Sequence, residues 1–172
     1  MGSIRTFDLK QIRQNCNITT FVETGTLYGE GVDCALEYGF DKVFSIEFDD
    51  NLFTTASSKY INNDSVTILK GSSSDVLPEL IKDIDTNILF WLDAHFPGAD
   101  AGKVSYRECC ESLEYNVNLP LQAELKAIAD RCKQYKDVII LDDLWMWEDG
   151  EYGAGNMDSH CQAHGHDITR EF

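Results

Sequence analysis

Basic residues are scarce in this chain. Its 172 residues carry 14 Lys and Arg against 30 Asp and Glu, a formal net charge of −16. Nucleic-acid binding needs cationic surface to neutralise phosphates, so that class of partner is excluded. No apolar run approaches the roughly 18 residues that a membrane span needs. The N-terminus lacks the basic-then-apolar pattern of a signal peptide, although Met1-Gly2-Ser3-Ile4-Arg5-Thr6 fits the loose myristoylation pattern, as a cloning scar also would. Cys16, Cys34, Cys109, Cys110, Cys132 and Cys161 show no disulfide-scaffold spacing. Several fall at apolar helical positions, as thiols in a reducing compartment do, and the cytoplasm is the expected location. Also missing is the G-x-G-x-x-G fingerprint of a dinucleotide turn.

What stands in its place organises the chain. Phe21-Val22-Glu23-Thr24-Gly25-Thr26-Leu27-Tyr28-Gly29 reads as a strand breaking sharply into a helix. Gly25 can take a positive φ and lets a ligand lie against bare backbone. The helix beyond it offers unpaired N–H groups and a positive dipole end. An acid just before the glycine repels a pyrophosphate but suits a ligand presenting a cation or hydroxyls. The plainer reading is an ordinary tight turn.

The length bounds the chain to one domain with a real core. Phe7 to Cys16 reads as a leading helix with Asp8 as N-cap. Strands follow at Thr19–Glu23, Lys42–Phe48, Val66–Lys70, Asn87–Asp93 and Val138–Leu141. Helices are expected at Glu30–Tyr38, from the Asp49-Asp50-Asn51 cap to Ile61, at Val76–Ile84 with Pro78 in the first turn, and at Leu121–Tyr135. The last would bury Leu121, Leu125, Ile128, Ala129 and Cys132. His95 to Asn118 is irregular and reads as a functional loop or lid. The domain spans residues 1–150, and 151–172 is a polar, Gly- and His-rich tail.

Strands alternating with helices imply an open α/β sheet of parallel strands. Ligands of such sheets sit at the carboxyl ends of the strands. Here those ends are Glu23, Glu47, the turn Gly71-Ser72-Ser73-Ser74-Asp75, Asp93 and the pair Asp142-Asp143. Acids gather along one edge.

These residues resemble the class I S-adenosylmethionine (SAM)-dependent methyltransferases. Glu23-Thr24-Gly25-Thr26-Leu27-Tyr28-Gly29 looks like that family's first motif, which wraps the methionine part of the cofactor. The resemblance implies a Rossmann-like sheet of five strands in the order 3-2-1-4-5, with helices on both faces. It implies cofactor contacts from Glu23, Thr24, Gly25, Thr26 and Gly29, and from Glu47, whose carboxylate accepts both ribose hydroxyl protons. Phe48 would flank the adenine, Ser72 and Ser73 would meet its edge, and Asp93 would close the cofactor site.

Leu92-Asp93-Ala94-His95 and Leu141-Asp142-Asp143 look like the metal-dependent O-methyltransferases, including the macrocin-type sugar enzymes. That likeness implies Mg²⁺ on Asp93, Asp142 and Asp143, orienting the acceptor hydroxyl and lowering its pKa. His95 and Asp93 would be the catalytic pair, with His95 as general base. Turn capping for the aspartates and a structural histidine are the plainer alternatives. Trp145 and Trp147 would line an acceptor pocket or belong to the core.

The chain departs from the class after the fifth strand, where two further strands are expected and the 25 or so remaining residues do not read as strands. Either the chain is a minimal or truncated form, or a partner covers the exposed edge, as in a homodimer. His160-Cys161-Gln162-Ala163-His164-Gly165-His166 can bind a borderline metal but matches no finger spacing, and a polar tail is the favoured reading. The leading expectation is therefore SAM-dependent, Mg²⁺-assisted O-methylation of a small-molecule acceptor. A non-catalytic SAM- or nucleotide-binding protein, and more weakly an NAD-type oxidoreductase, are the alternatives.

Overall fold

The computed structural model describes residues 3–143. A short 3₁₀ turn at Ile4–Thr6 precedes helix α1 (Leu9–Cys16), whose N-cap is Asp8. Then come strand β1 (Thr20–Thr24), helix α2 (Glu30–Glu37), β2 (Lys42–Glu47), α3 (Asp50–Tyr60), β3 (Val66–Lys70) and α4 (Ser73–Leu80). β4 (Ile88–Leu92) leads to α5 (Tyr106–Ser112), α6 (Tyr115–Asn118), α7 (Leu121–Arg131) and β5 (Val138–Leu141). Trp145, Trp147, the domain boundary at 150 and the His160–His166 cluster lie outside the described residues. Among the described residues, no helix is long and apolar enough to cross a membrane.

All strands pair in parallel, in the order β3-β2-β1-β4-β5. β4 shows why. Each of its residues is buried, as a strand covered on both faces must be. Ile88, Phe90 and Leu92 enter one core with Leu77, Leu119 and Ile128. Leu89 and Trp91 enter the opposite core with Leu9, Val32 and Phe40. Helices α1 to α3 supply the second core, and α4 to α7 the first. The register aligns Thr24 with Ile46 and with Leu92, so Gly25, Glu47 and Asp93 emerge together at one edge.

Three sequence expectations are corrected. Helix α4 begins at Ser73, not Val76, because the serine turn itself supplies its first residues and Ser72 its cap. Pro78 therefore sits in the helix body. The stretch 95–118, expected to be irregular, carries two short helices: α5, closed by a reciprocal Ser105–Glu108 capping box, and α6. α7 is rotated relative to its apolar pattern, burying Glu124 and Arg131 beside Leu121 and Ile128, while Ala129 and Cys132 are exposed. Arg131 pulls that face inward. Its guanidinium donates to the carbonyls of Ile81, Ile84 and Thr86 and pairs with Asp137 at 3.0 Å. A fork of donors facing carbonyls that would otherwise be orphaned outweighs apolar periodicity.

Candidate functional site

Gly25 holds φ at +85°, and a Cβ on it would meet the Asp93 carbonyl at 3.0 Å and Ala94 at 3.2 Å. The glycine is thus what lets the turn after β1 touch the turn after β4. A cleft opens beside it, lined by Gly25, Leu27, Glu47, Phe48, Ser72, Ser73, Asp93 and His95. Glu47 is aimed by its own backbone: Leu27 N donates to Oε2 at 2.9 Å and Asp49 N to Oε1 at 2.7 Å. Burial lifts its carboxyl above the usual range, against those two hydrogen bonds. Each oxygen keeps a lone pair for a ligand hydroxyl. The Lys70 ammonium lies 5.1 Å from the Phe48 ring, across the cleft wall.

The rest of the first motif stands one layer back. Thr24 is fully buried, and its Oγ1 accepts from Asp93 N at 3.3 Å. Thr26 bonds Ser45 at 2.6 Å, and Ser45 donates to Glu23 at 2.5 Å. Gly29, at φ +80°, starts α2, and its carbonyl accepts from the Tyr60 hydroxyl at 2.8 Å. None of these four lines the Glu47 cleft; they hold it. Glu23 and Thr26 instead border an adjoining cavity of about 200 Å³, covered by Ser3, Ile4 and Arg5 and walled by Trp91. Burial, eased by Ser45, lifts the Glu23 carboxyl to about 8.

On the other side of Gly25 the acids crowd. Ligand atoms of Asp93, His95 and Asp143 all lie within 4.8 Å of one another. His95 Nε2 is 3.2 Å from both Asp100 and Asp143, while Nδ1 lies 3.0 Å from the Asp93 carbonyl. Burial drags the imidazole down, but Asp100, Asp143 and Asp93 outweigh it and lift it to about 9. Asp93 is lifted to about 8 by burial and by its neighbours Asp142 and Asp143, against the pull of His95. Asp142 continues the sheet ladder through its N–H to the Leu92 carbonyl. Its Oδ1 accepts from Asp143 N at 2.8 Å, and its Oδ2 is buried without a partner.

The donor set fits a divalent cation. Hard carboxylate oxygens suit Mg²⁺, and the imidazole beside them extends the fit to first-row ions such as Mn²⁺. Among the described residues, three of the four non-glycine residues with positive φ, Leu27, Phe96 and Asp143, border this region. Backbone held in such conformations clusters at functional sites.

Sequence reasoning missed four residues here. Leu27 enters through its backbone, and Trp91 reads only as a buried strand residue. Asp100 sits in the irregular stretch, where the Tyr106 hydroxyl bonds it at 2.8 Å. Glu124 occupies a helix position whose pattern predicts an apolar side chain. No spacing signal marks any of them. The stretch itself roofs the Glu47 cleft, tied down by Lys103 on Asp49 at 2.5 Å and by Phe96 N on the Asn118 carbonyl.

Compared by sequence, the chain matches no family model and no curated protein. Solved structures do share its shape. A Podospora anserina methyltransferase bound to S-adenosylhomocysteine aligns at TM-score 0.55 and 15% identity, over 85% of this chain and 55% of that one. The O-methyltransferase TomG from Streptomyces achromogenes, involved in tomaymycin synthesis and solved with SAM, aligns at 0.57 and 14%, over 96% and 66%. An O-methyltransferase from Bacillus cereus aligns at 0.56 and 17%, over 96% and 67%. This chain has the Rossmann-like methyltransferase fold. It spans a little over half of the first of these structures and about two thirds of the other two.

Proposed function

We propose that this protein is a SAM-dependent methyltransferase that methylates a hydroxyl of a small-molecule acceptor with the help of a divalent cation. The observation that carries the reading is one edge where a glycine turn, a backbone-oriented Glu47, Asp93 and His95 line the same cleft, with Asp143 beside the last two. The cleft side takes the adenosine: Glu47 binds the ribose hydroxyls, Phe48 flanks the base, and the Ser72-Ser73 turn meets its edge. The methionine end then crosses Gly25 towards the cavity beside Glu23. This leaves the transferable methyl facing Asp93 and His95.

A sulfonium already activates its methyl group, so the chain has mainly to position the acceptor oxygen in line and take its proton. Asp93 and Asp143 would hold Mg²⁺ or Mn²⁺, which when bound acidifies the acceptor hydroxyl, while Asp142, expected as a third ligand, stands outside the converging group and holds the Asp143 turn. At neutral pH His95 is protonated between Asp100 and Asp143, so by itself it donates a proton rather than accepts one. With the charge of Asp93 and Asp143 offset, His95 would keep Asp100 as its carboxylate partner and would be the imidazole placed to take the acceptor's proton. Cys34 and Cys109 are buried free thiols, but Cys110 is disulfide-bonded, against the expectation of reduced cysteines throughout, so the cysteines carry no argument for the compartment. β5, paired on one side alone among the described residues, supports a homodimer along that edge.

Calorimetric titration of SAM into the wild type and Glu47→Ala, with and without Mg²⁺, tests the reading. Micromolar-range binding that Glu47→Ala loses supports the cofactor assignment. No binding to the wild type overturns it.

A further inference from the structure

Behind the acid group lies a smaller chamber of about 20 Å³, between β4, β5 and α7. Leu92, Leu119 and Leu121 close its apolar side; Asp93, Asp142 and Glu124 line its polar side. That volume admits a single water, which needs two to four polar partners to stay. Two unsatisfied acceptors are there: Glu124 Oε1 and Asp142 Oδ2 are both buried and lack hydrogen-bond partners. Glu124 is 1% exposed. It also faces the hydroxyls of Ser73, in the Glu47 cleft, and Thr24, which accepts the Asp93 N–H.

The Asp142 carboxylate has a mechanical task. By accepting the Asp143 N–H it holds Asp143 at φ +50°, and this turn aims the Asp143 side chain at His95 and Asp93. Beyond that bond and its contact with the Asp93 carboxyl, the second Asp142 oxygen has no donor. Side chains that ligate metals are oriented by partners one step further out, and losing such a partner typically costs 10–100-fold in metal affinity.

We propose that Glu124 is a positioning residue of the cation site. Through one water in this chamber it fixes the Asp142 carboxylate, and through Asp142 the turn that presents Asp143. The inference rests on the cation-assisted reading above, and extends it to a helix that touches no substrate.

The test is Mn²⁺ binding by electron paramagnetic resonance to the full chain, as wild type, Glu124→Gln and Glu124→Leu, with a thermal melt of each. Glu124→Leu is expected to bind Mn²⁺ about 10–100-fold more weakly, with an unchanged or higher Tm because a buried carboxyl has been removed. Glu124→Gln, which can still bond the water, is expected to stay close to the wild type. Wild-type affinity in Glu124→Leu overturns the proposal and leaves the cation reading standing. Absence of Mn²⁺ binding by the wild type overturns both. Should Glu124→Leu fail to fold, a high-resolution crystal structure of the wild type decides: a water bonded to Glu124 Oε1 and Asp142 Oδ2 supports the proposal, and a dry chamber overturns it.

Discussion

Glu47 and Asp142 both stand at the carboxyl end of a parallel strand, yet their surroundings are opposite. Glu47 ends β2 with each oxygen bonded by a backbone N–H, from Leu27 and Asp49. Asp142 follows β5 with one oxygen orphaned, beside Asp93, Asp143 and the buried Glu124. The first carboxylate is preorganised by the chain for neutral donors. The second belongs to a group whose negative charge only His95 offsets among the described residues lining that side. On the reading proposed above, the two halves of the edge would take different ligands: hydroxyls at β2, positive charge at β4 and β5. Fixed dipoles satisfy one acid at no cost in charge, whereas clustered acids raise each other's proton affinity until a cation intervenes.

Removing an acid from the crowded half should break the comparison most. Asp143→Asn is expected to weaken Mn²⁺ binding beyond the roughly 100-fold upper range seen for outer partners of a metal ligand. In the same variant the His95 imidazole, followed by NMR titration, should fall from about 9 towards its ordinary 6.5, because one of the charges that lifts it is gone. An unmoved His95 would mean that Asp100 alone holds the proton.

Glu23 sharpens the comparison, since it has a hydrogen-bond partner but no solvent. Its folded pKa of about 8 lies above the ordinary 4.5. Its contribution to stability is therefore fully present below about pH 4.5 and is lost as the pH rises through about 8. Glu23→Gln keeps an acceptor for Ser45 and removes the titration. It should stabilise the fold by roughly 3 kcal/mol at pH 7, with no gain at pH 4, as urea unfolding at the two pH values will show. Equal effects at both would refute the burial argument.

On the satisfied half, Glu47→Ala should weaken SAM binding by about 30-fold, the value of a charge-assisted hydrogen bond of about 2 kcal/mol, without altering Mn²⁺ affinity. Coupled losses would mean that the two halves are not independent. Lys103→Ala, which cuts the partly exposed tie to Asp49, should change stability by less than about 1 kcal/mol; a larger drop in Tm would show that the roof is held there.

Much of this was legible before any coordinates. The run Asn87–Asp93 is apolar without alternation and reads as a strand covered on both faces, which is what β4 is. Gly25, Gly29 and the acids at the strand ends mark a turn that needs positive φ and an edge that needs polar ligands. The sheet order follows from the resemblance and from right-handed crossovers. Less legible were the elements whose reason is a partner far away in sequence. The start of α4 depends on how the serine turn folds back, and α5 hides its capping box in a stretch without a clean period. The inward face of α7 is chosen by carbonyls at 81, 84 and 86 that only folding brings to Arg131.

Sequence by itself therefore determined the alternation of strands and helices, the glycine turn after β1 and the acidic strand ends. Local periodicity and backbone sterics act over a few residues and are written into neighbouring positions. Only the tertiary structure decided which acids stand together, that Thr24, Thr26 and Gly29 stand behind the Glu47 cleft rather than line it, and that Asp100 and Glu124 lie beside those acids. Those outcomes depend on distances between segments up to about a hundred residues apart, and on desolvation, a property of the packed interior that no stretch of chain carries alone.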